Sequence, residues 1–129
     1  MAIKRERKAI GKIHYTWSEF EKDLFALSKK LRRAKKKFTG IWGPARGGLP
    51  LAVCLSHLLT LPLVSKPKDT SILIVDDIAD TGETLQNFAK KGFCIATLYY
   101  HSQSIVVPTF WIREKHNEWI IFPWEYSKK

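Results

Sequence analysis

The sequence predicts an α/β fold: a mostly parallel sheet flanked by helices, carrying a small C-terminal aromatic hood, in one domain spanning residues 1–129. Three observations predict it. Short β-rich runs alternate with helical patterns, which favours right-handed crossovers and parallel strands. Two loop motifs rich in glycine and polar residues fall directly after predicted strands, where open α/β sheets bind their ligands. Finally, the chain changes character over about 102–129, where Phe110, Trp111, Trp119, Phe122, Trp124 and Tyr126 are punctuated by Pro108 and Pro123.

The elements follow in order. Thr16-Trp17-Ser18-Glu19 reads as a capping box. After it Trp17, Phe20, Leu24, Leu27 and Leu31 recur at helical spacing, so this first helix should pack one apolar face on the sheet. Thr39-Gly40 ends that stretch and leads into a strand before Gly43. A helix from about Leu49 to Leu59 is apolar almost all round and is expected to be buried. Leu61 to Val64 reads as a strand, and Ile72 to Ile78 as a fully buried one. Leu85, Phe88 and Ala89 give the inner face of the next helix, with Gly92 as its C-terminal cap. Phe93 to Tyr100 is the next buried strand.

Composition narrows the class. No run of 18 or more apolar residues occurs, so no transmembrane helix is expected, and the basic start MAIKRERKAI lacks the apolar core of a secretory signal. Cys54 and Cys94 lie in apolar segments without metal-type spacing and read as buried free thiols in a reducing, cytoplasmic protein. The formal net charge is +10, concentrated at Lys4–Lys8 and Lys29–Lys37. Such clusters can attract nucleic acid or steer a polyanionic substrate. For Lys29–Lys37 a solvated helix end is the preferred reading, because cations suit helix C-termini. Scarce Asn and Gln (Gln86, Asn87, Gln103 and Asn117) beside many lysines suggest a thermophilic source.

Two motifs carry the chemistry. In ILIVDDIADTGETL, Ile72–Leu85, a rigid strand ends in Asp76 and Asp77, then turns through Ala79-Asp80-Thr81-Gly82 into a helix. Adjacent carboxylates can grip vicinal hydroxyls or a hydrated divalent cation, and small residues at a helix entrance cradle a phosphate on backbone N–H groups. Together they describe a site for a ribose 5-phosphate. In IWGPARGGLPLAV, Ile41–Val53, Arg46 stands beside Gly47 and Gly48. A guanidinium there can take diphosphate oxygens in bidentate fashion while the glycines let the backbone approach.

A hydrophobic run, Asp-Asp, two small or apolar residues and Asp-Thr-Gly resembles the phosphoribosyl-pyrophosphate (PRPP) signature of type I phosphoribosyltransferases, and ARGG resembles that family's pyrophosphate loop. The tail His116–Glu125, HNEWIIFPWE, resembles the base-binding end of xanthine-guanine and related purine enzymes. The resemblance implies transfer of a phosphoribosyl group from Mg-PRPP to a purine base, releasing pyrophosphate, as in purine salvage. It implies that Asp76, Asp77, Ala79, Asp80, Thr81, Gly82, Glu83 and Thr84 bind the ribose and 5-phosphate, with Asp80 as the catalytic acid or base and Asp76 and Asp77 holding Mg²⁺ through water. Ala45, Arg46, Gly47 and Gly48 would bind pyrophosphate, with a cis peptide at Ala45–Arg46. His101, Trp119, Ile120 and Glu125 would meet the base; His101 stands where the 6-oxopurine enzymes carry a lysine. The implied partners are PRPP, a purine base and other copies of the chain in a dimer or tetramer, with neither membrane nor nucleic acid expected.

One departure from the family pattern stands out. Only Ser65–Ser71 is available where these enzymes carry a long mobile loop. Shielding must then come from another subunit or from Lys66 and Lys68, or transfer is slow. The alternative is a regulatory protein of the same fold that binds PRPP or nucleotide with little catalysis. A pyrimidine salvage enzyme fits the aromatic tail less well.

Overall fold

The computed structural model describes residues 11–126; the basic run Lys4–Lys8 and the N-terminal leader reading lie outside them. The elements run β1 (Lys12–His14), α1 (Trp17–Arg33), β2 (Gly40–Trp42), α2 (Leu49–Leu59), β3 (Ile72–Ala79), α3 (Gln86–Lys90), β4 (Ile95–His101), β5 (Arg113–Lys115) and β6 (Trp119–Ile121). A four-stranded sheet has the order β2-β3-β4-β5, with every pairing parallel. A separate two-stranded parallel ladder joins β1 to β6, so the start of the described chain is tied to the aromatic hood.

Helices cover both faces of the main sheet. On one, Phe20, Leu24, Leu27 and Leu31 of α1 and Leu51, Ala52 and Leu55 of α2 pack with Leu73, Val75, Ala96 and Leu98. On the other, Ile72, Ile74, Leu85 and Ile95 form a smaller cluster with Trp42, Phe88 and Phe93. Leu73, Val75 and Ile78 all meet the first cluster, so the two-residue alternation of β3 breaks between Val75 and Ile78, at the paired aspartates.

The capping box is formed: Glu19 N donates to Thr16 Oγ1 at 3.0 Å, and Thr16 N donates to Glu19 Oε1 at 3.0 Å. Several expectations need correction. Trp17 is 56 % exposed rather than part of the buried stripe; its ring meets Phe20 and Trp124 edge-on instead. Helix α2 is not buried all round. It lies over β2 and β3 and beside α1, so Leu51, Ala52 and Leu55 are covered while Leu49 and Val53 stay exposed. The strand expected over Leu61–Val64 shrinks to one parallel bridge, Leu63 to Ile41, because Pro62 has no N–H to extend a ladder. α3 spans only Gln86–Lys90; Leu85 is buried at its start, but Ala89 faces solvent. Strand β4 begins at Ile95, not Phe93. Cys54 and Cys94 are free but only half-buried.

Candidate functional site

β3 carries the site to the C-terminal edge of the sheet. Asp76 is buried, and its Oδ1 accepts from Asp77 N at 2.8 Å. Asp77 is half-buried and lines three cavities at once. The first, about 240 Å³, is bounded by Asp76, Asp77, Asp80, Thr81, Gly82, Glu83 and Thr84. Its turn depends on Gly82, whose φ of +86° suits glycine alone, and a Cβ there would lie 2.6 Å from Ser104 Oγ. Glu83 N donates to Thr81 Oγ1 at 3.3 Å, closing the turn. Ala79 is fully buried in the sheet core and does not line this cradle.

The second cavity, about 630 Å³, opens between Arg46, Gly47 and Pro50 on one side and Asp77, Trp124, Glu125 and Tyr126 on the other. The Ala45–Arg46 peptide is cis. Gly47 packs so closely on β3 that a Cβ would meet Asp77 Oδ2 at 2.6 Å. Gly48 is buried behind it against Pro44 and the Val75 carbonyl, and Ala45 turns toward a separate, mostly apolar cavity with Trp42, Leu49 and Leu63.

The third cavity, about 140 Å³, holds Asp77, Ile78, Asp80, Lys115, Trp119, Ile120, Phe122 and Glu125. Cavities of ~150 Å³ accept one aromatic ring. Glu125 also braces the hood, its Oε1 accepting from Phe122 N at 2.7 Å. Trp119, Ile120 and Glu125 thus share one cavity with Asp80, and His101 does not line it. His101 lines a neighbouring cavity with Asp80, Thr81, Glu83, Gln103 and Ile105, and its Nδ1 accepts from Gln103 N at 3.3 Å. The cation in the aromatic cavity is instead Lys115, whose Nζ lies 3.0 and 3.1 Å from the two Asp80 oxygens. Phe122, Trp124 and Tyr126 were read as part of the aromatic hood but not among the site residues, and Lys115 was missed in the sequence. A single clue existed for Lys115: a lysine four residues before Trp119, inside an otherwise aromatic segment.

The electrostatics of the acids are uneven. Burial first, and then the neighbouring Asp77 carboxylate, push Asp76 up to about 8; burial also raises Asp77. Neither belongs to any of the ion pairs among the described residues. One buried and one half-buried carboxylate lacking a side-chain cation suit a hydrated divalent ion. No group of three or more His, Cys, Asp or Glu side chains among the described residues forms a closed metal cage, so waters and ligand oxygens would complete the shell.

A stability prediction follows. With a folded pKa above its ordinary 3.8, Asp76 keeps its proton in the native state where the unfolded chain has released it. Native stability should therefore fall as pH rises from about 4 toward about 8. In metal-free buffer, Asp76→Asn should gain melting temperature relative to the parent as pH rises from about 4 to about 8, since an amide has no carboxyl to ionise. Parallel melting curves across this range would show that the Asp76 carboxyl carries no such penalty.

No protein-family model matches the chain. A purine phosphoribosyltransferase from Pyrococcus horikoshii Ot3 is 34 % identical and superposes with a TM-score of 0.78, covering 92 % of this chain and 96 % of that one. A xanthine-guanine phosphoribosyltransferase from Nitratidesulfovibrio vulgaris is 29 % identical over 135 aligned positions, covering 85 % of this chain and 82 % of the relative. The xanthine-guanine-hypoxanthine phosphoribosyltransferase of Helicobacter pylori shares the fold with a TM-score of 0.77 at 24 % identity, covering 88 % of this chain and 94 % of that one.

Proposed function

This chain belongs to the purine phosphoribosyltransferases of the type I fold, and from that premise we propose that the ribose of PRPP sits at Asp77, where its three cavities meet. The reaction is transfer of a phosphoribosyl group from PRPP to a purine base, giving a nucleoside monophosphate and pyrophosphate. The observation that carries the assignment is the sharing of Asp77. A phosphate cradle, a cavity walled by Arg46 and an aromatic cavity converge on one carboxylate, as the 5-phosphate, pyrophosphate and base converge on one sugar.

Each part then has a role. Thr81, Gly82, Glu83 and Thr84 enclose the 5-phosphate. Arg46 and Gly47 receive the pyrophosphate, with Gly48 and Ala45 shaping the loop. Trp119 and Ile120 flank the base. Asp76 and Asp77 hold Mg²⁺ through water; when bound, the ion neutralises charge on the departing pyrophosphate. In the reaction N9 of the base donates its lone pair to C1 of the ribose. The bond from C1 to the pyrophosphate oxygen breaks with its electron pair, and the N7 proton of the base passes to Asp80. Arg46 offers a fixed positive charge where negative charge grows.

No helix among the described residues is long and apolar enough to cross a membrane, and the free thiols fit a reducing cytoplasm. Self-association belongs to the same proposal. Leu49, Val53 and Leu63 leave apolar surface exposed beside the site, and the short segment Ser65–Ser71 leaves little chain to close over it.

The test is pyrophosphate release from Mg-PRPP with each purine in turn. Release coupled to nucleotide formation supports the reading; tight PRPP binding with no release for any base would make the chain a binding protein. Gly47→Ala supplies a finer check. Its Cβ would displace the Asp77 carboxylate, so transfer should fall by about tenfold or more. The melting temperature should change little, because the clashing atom is the end of a side chain at an open cavity. An unchanged rate would mean that the position of Asp77 does not matter to the reaction.

A further inference from the structure

We propose that Thr97 is a positioning residue for the acidic pair: in the complex with Mg-PRPP its buried hydroxyl donates a hydrogen bond to the Asp76 carboxylate and holds it ready for the hydrated cation. The inference rests on the transfer reading above and adds a residue from the neighbouring strand that lines none of the three cavities.

The observation behind it is an unpaired hydroxyl. Thr97 on β4 is fully buried, and its Oγ1 is one of two buried side-chain atoms without a hydrogen-bond partner among the described residues. Its backbone N–H is engaged, donating to Phe110 O at 2.9 Å. The register of the sheet then places the side chain. Thr97 pairs with Asp76 across the parallel β3–β4 ladder, so the two side chains leave the sheet on the same face. Ala96 and Leu98 meet the cluster under α1 and α2, which sends Thr97 to the opposite face. Asp76 lines a cavity there with Leu85, a member of that face's own cluster. Neighbouring strands stand about 4.8 Å apart, so a rotamer change brings a hydroxyl within reach of a carboxylate on the paired residue.

A buried hydroxyl with no partner destabilises a fold, and valine fills nearly the same shape without that penalty. Valine also suits a buried parallel strand, as Val75 does on β3. A threonine at this position is therefore explained by a state in which the hydroxyl is used. Asp76 supplies the acceptor. Its Oδ1 accepts from Asp77 N at 2.8 Å, and a carboxylate has about four lone-pair sites, so capacity remains for an O–H donor. A carboxylate that serves a cation is commonly held from behind by a further hydrogen bond, whose loss weakens metal affinity by roughly 10- to 100-fold. Thr97 is the unpaired donor placed for that task.

The experiment compares wild type, Thr97→Val and Thr97→Ser. Melting curves are taken in metal-free buffer, with Mg²⁺ alone and with Mg-PRPP. Calorimetry gives affinities for Mg-PRPP and for metal-free guanosine monophosphate. Free Thr97→Val should melt at or above the wild-type temperature, because it removes an unpaired buried hydroxyl. Its affinity for Mg-PRPP should nonetheless fall by roughly tenfold or more, with a smaller melting shift, while monophosphate affinity stays within about twofold. Thr97→Ser keeps the hydroxyl and should bind Mg-PRPP like wild type, at some loss of melting temperature from the missing methyl. Wild-type affinity for Mg-PRPP in Thr97→Val would overturn the proposal. So would equal losses for both ligands together with a lower melting temperature, the mark of a packing role. If wild type binds no Mg-PRPP, the transfer reading fails by itself, and the melting shift with Mg²⁺ alone then decides. A smaller shift in Thr97→Val supports the role; a shift equal in the two proteins, or absent from both, removes Thr97 from the acidic pair.

Discussion

Asp80→Asn is expected to slow phosphoribosyl transfer by roughly 10²-fold or more, the scale of a well-placed general base, while nucleotide binding survives. Asp80, like Asp77, borders both the Thr81–Thr84 cavity and the aromatic cavity, and it is more open than the buried Asp76. It is partly open to solvent and already carries a hydrogen-bonded cation. Asparagine keeps an oxygen that can accept from Lys115, so the cavity should retain its shape. It has no basic oxygen able to take the N7 proton of the base. Steady-state rates with guanine, hypoxanthine and adenine, set beside calorimetric affinities for the monophosphates, separate the two properties. Turnover at the wild-type rate with every purine would remove Asp80 from the chemistry.

Arg46→Ala should weaken PRPP by roughly 10- to 100-fold, the loss expected when a charge-assisted hydrogen bond to a phosphate oxygen disappears. A nucleoside monophosphate should be affected far less. The reason is the division of the site. Arg46 lines the cavity bounded by Gly47, Pro50 and Trp124, not the cradle of Thr81–Thr84, so in the proposed binding mode it meets the diphosphate arm of the ligand. Arg46 is exposed and belongs to none of the ion pairs among the described residues, so its removal should leave the melting temperature nearly unchanged. Equal losses for PRPP and monophosphate in calorimetry would assign Arg46 to the 5-phosphate or to the loop's conformation.

Much of the site was legible because its parts are contiguous in the chain. Asp76, Asp77, Asp80 and the Thr81–Thr84 turn lie on one strand, one turn and one helix entrance, and local propensity fixes their mutual geometry. Arg46 and Gly47 follow a strand in the same way. The aromatic hood was visible as composition. Burial was less legible: α2 has an apolar sequence all round, yet its neighbours cover only the side of Leu51, Ala52 and Leu55.

What the tertiary structure alone decided is which distant residue enters the aromatic cavity. Strand β5 has only three residues, Arg113-Glu114-Lys115, and no apolar alternation to announce it. Its place comes from parallel pairing with β4 and from the Arg113 ion pair to Asp23, 90 residues away in sequence. The register sets Lys115 beside His101, so two neighbouring strand ends compete for one expected role, and only one of them lines the cavity with Trp119. By itself the sequence determined two loop motifs at strand ends, one acidic and one carrying Arg46 beside glycines, because backbone-local motifs carry their own geometry. The cation that enters the aromatic cavity depends on long-range strand pairing and buried charge, whose partners are set by the folded chain and not by their spacing along it.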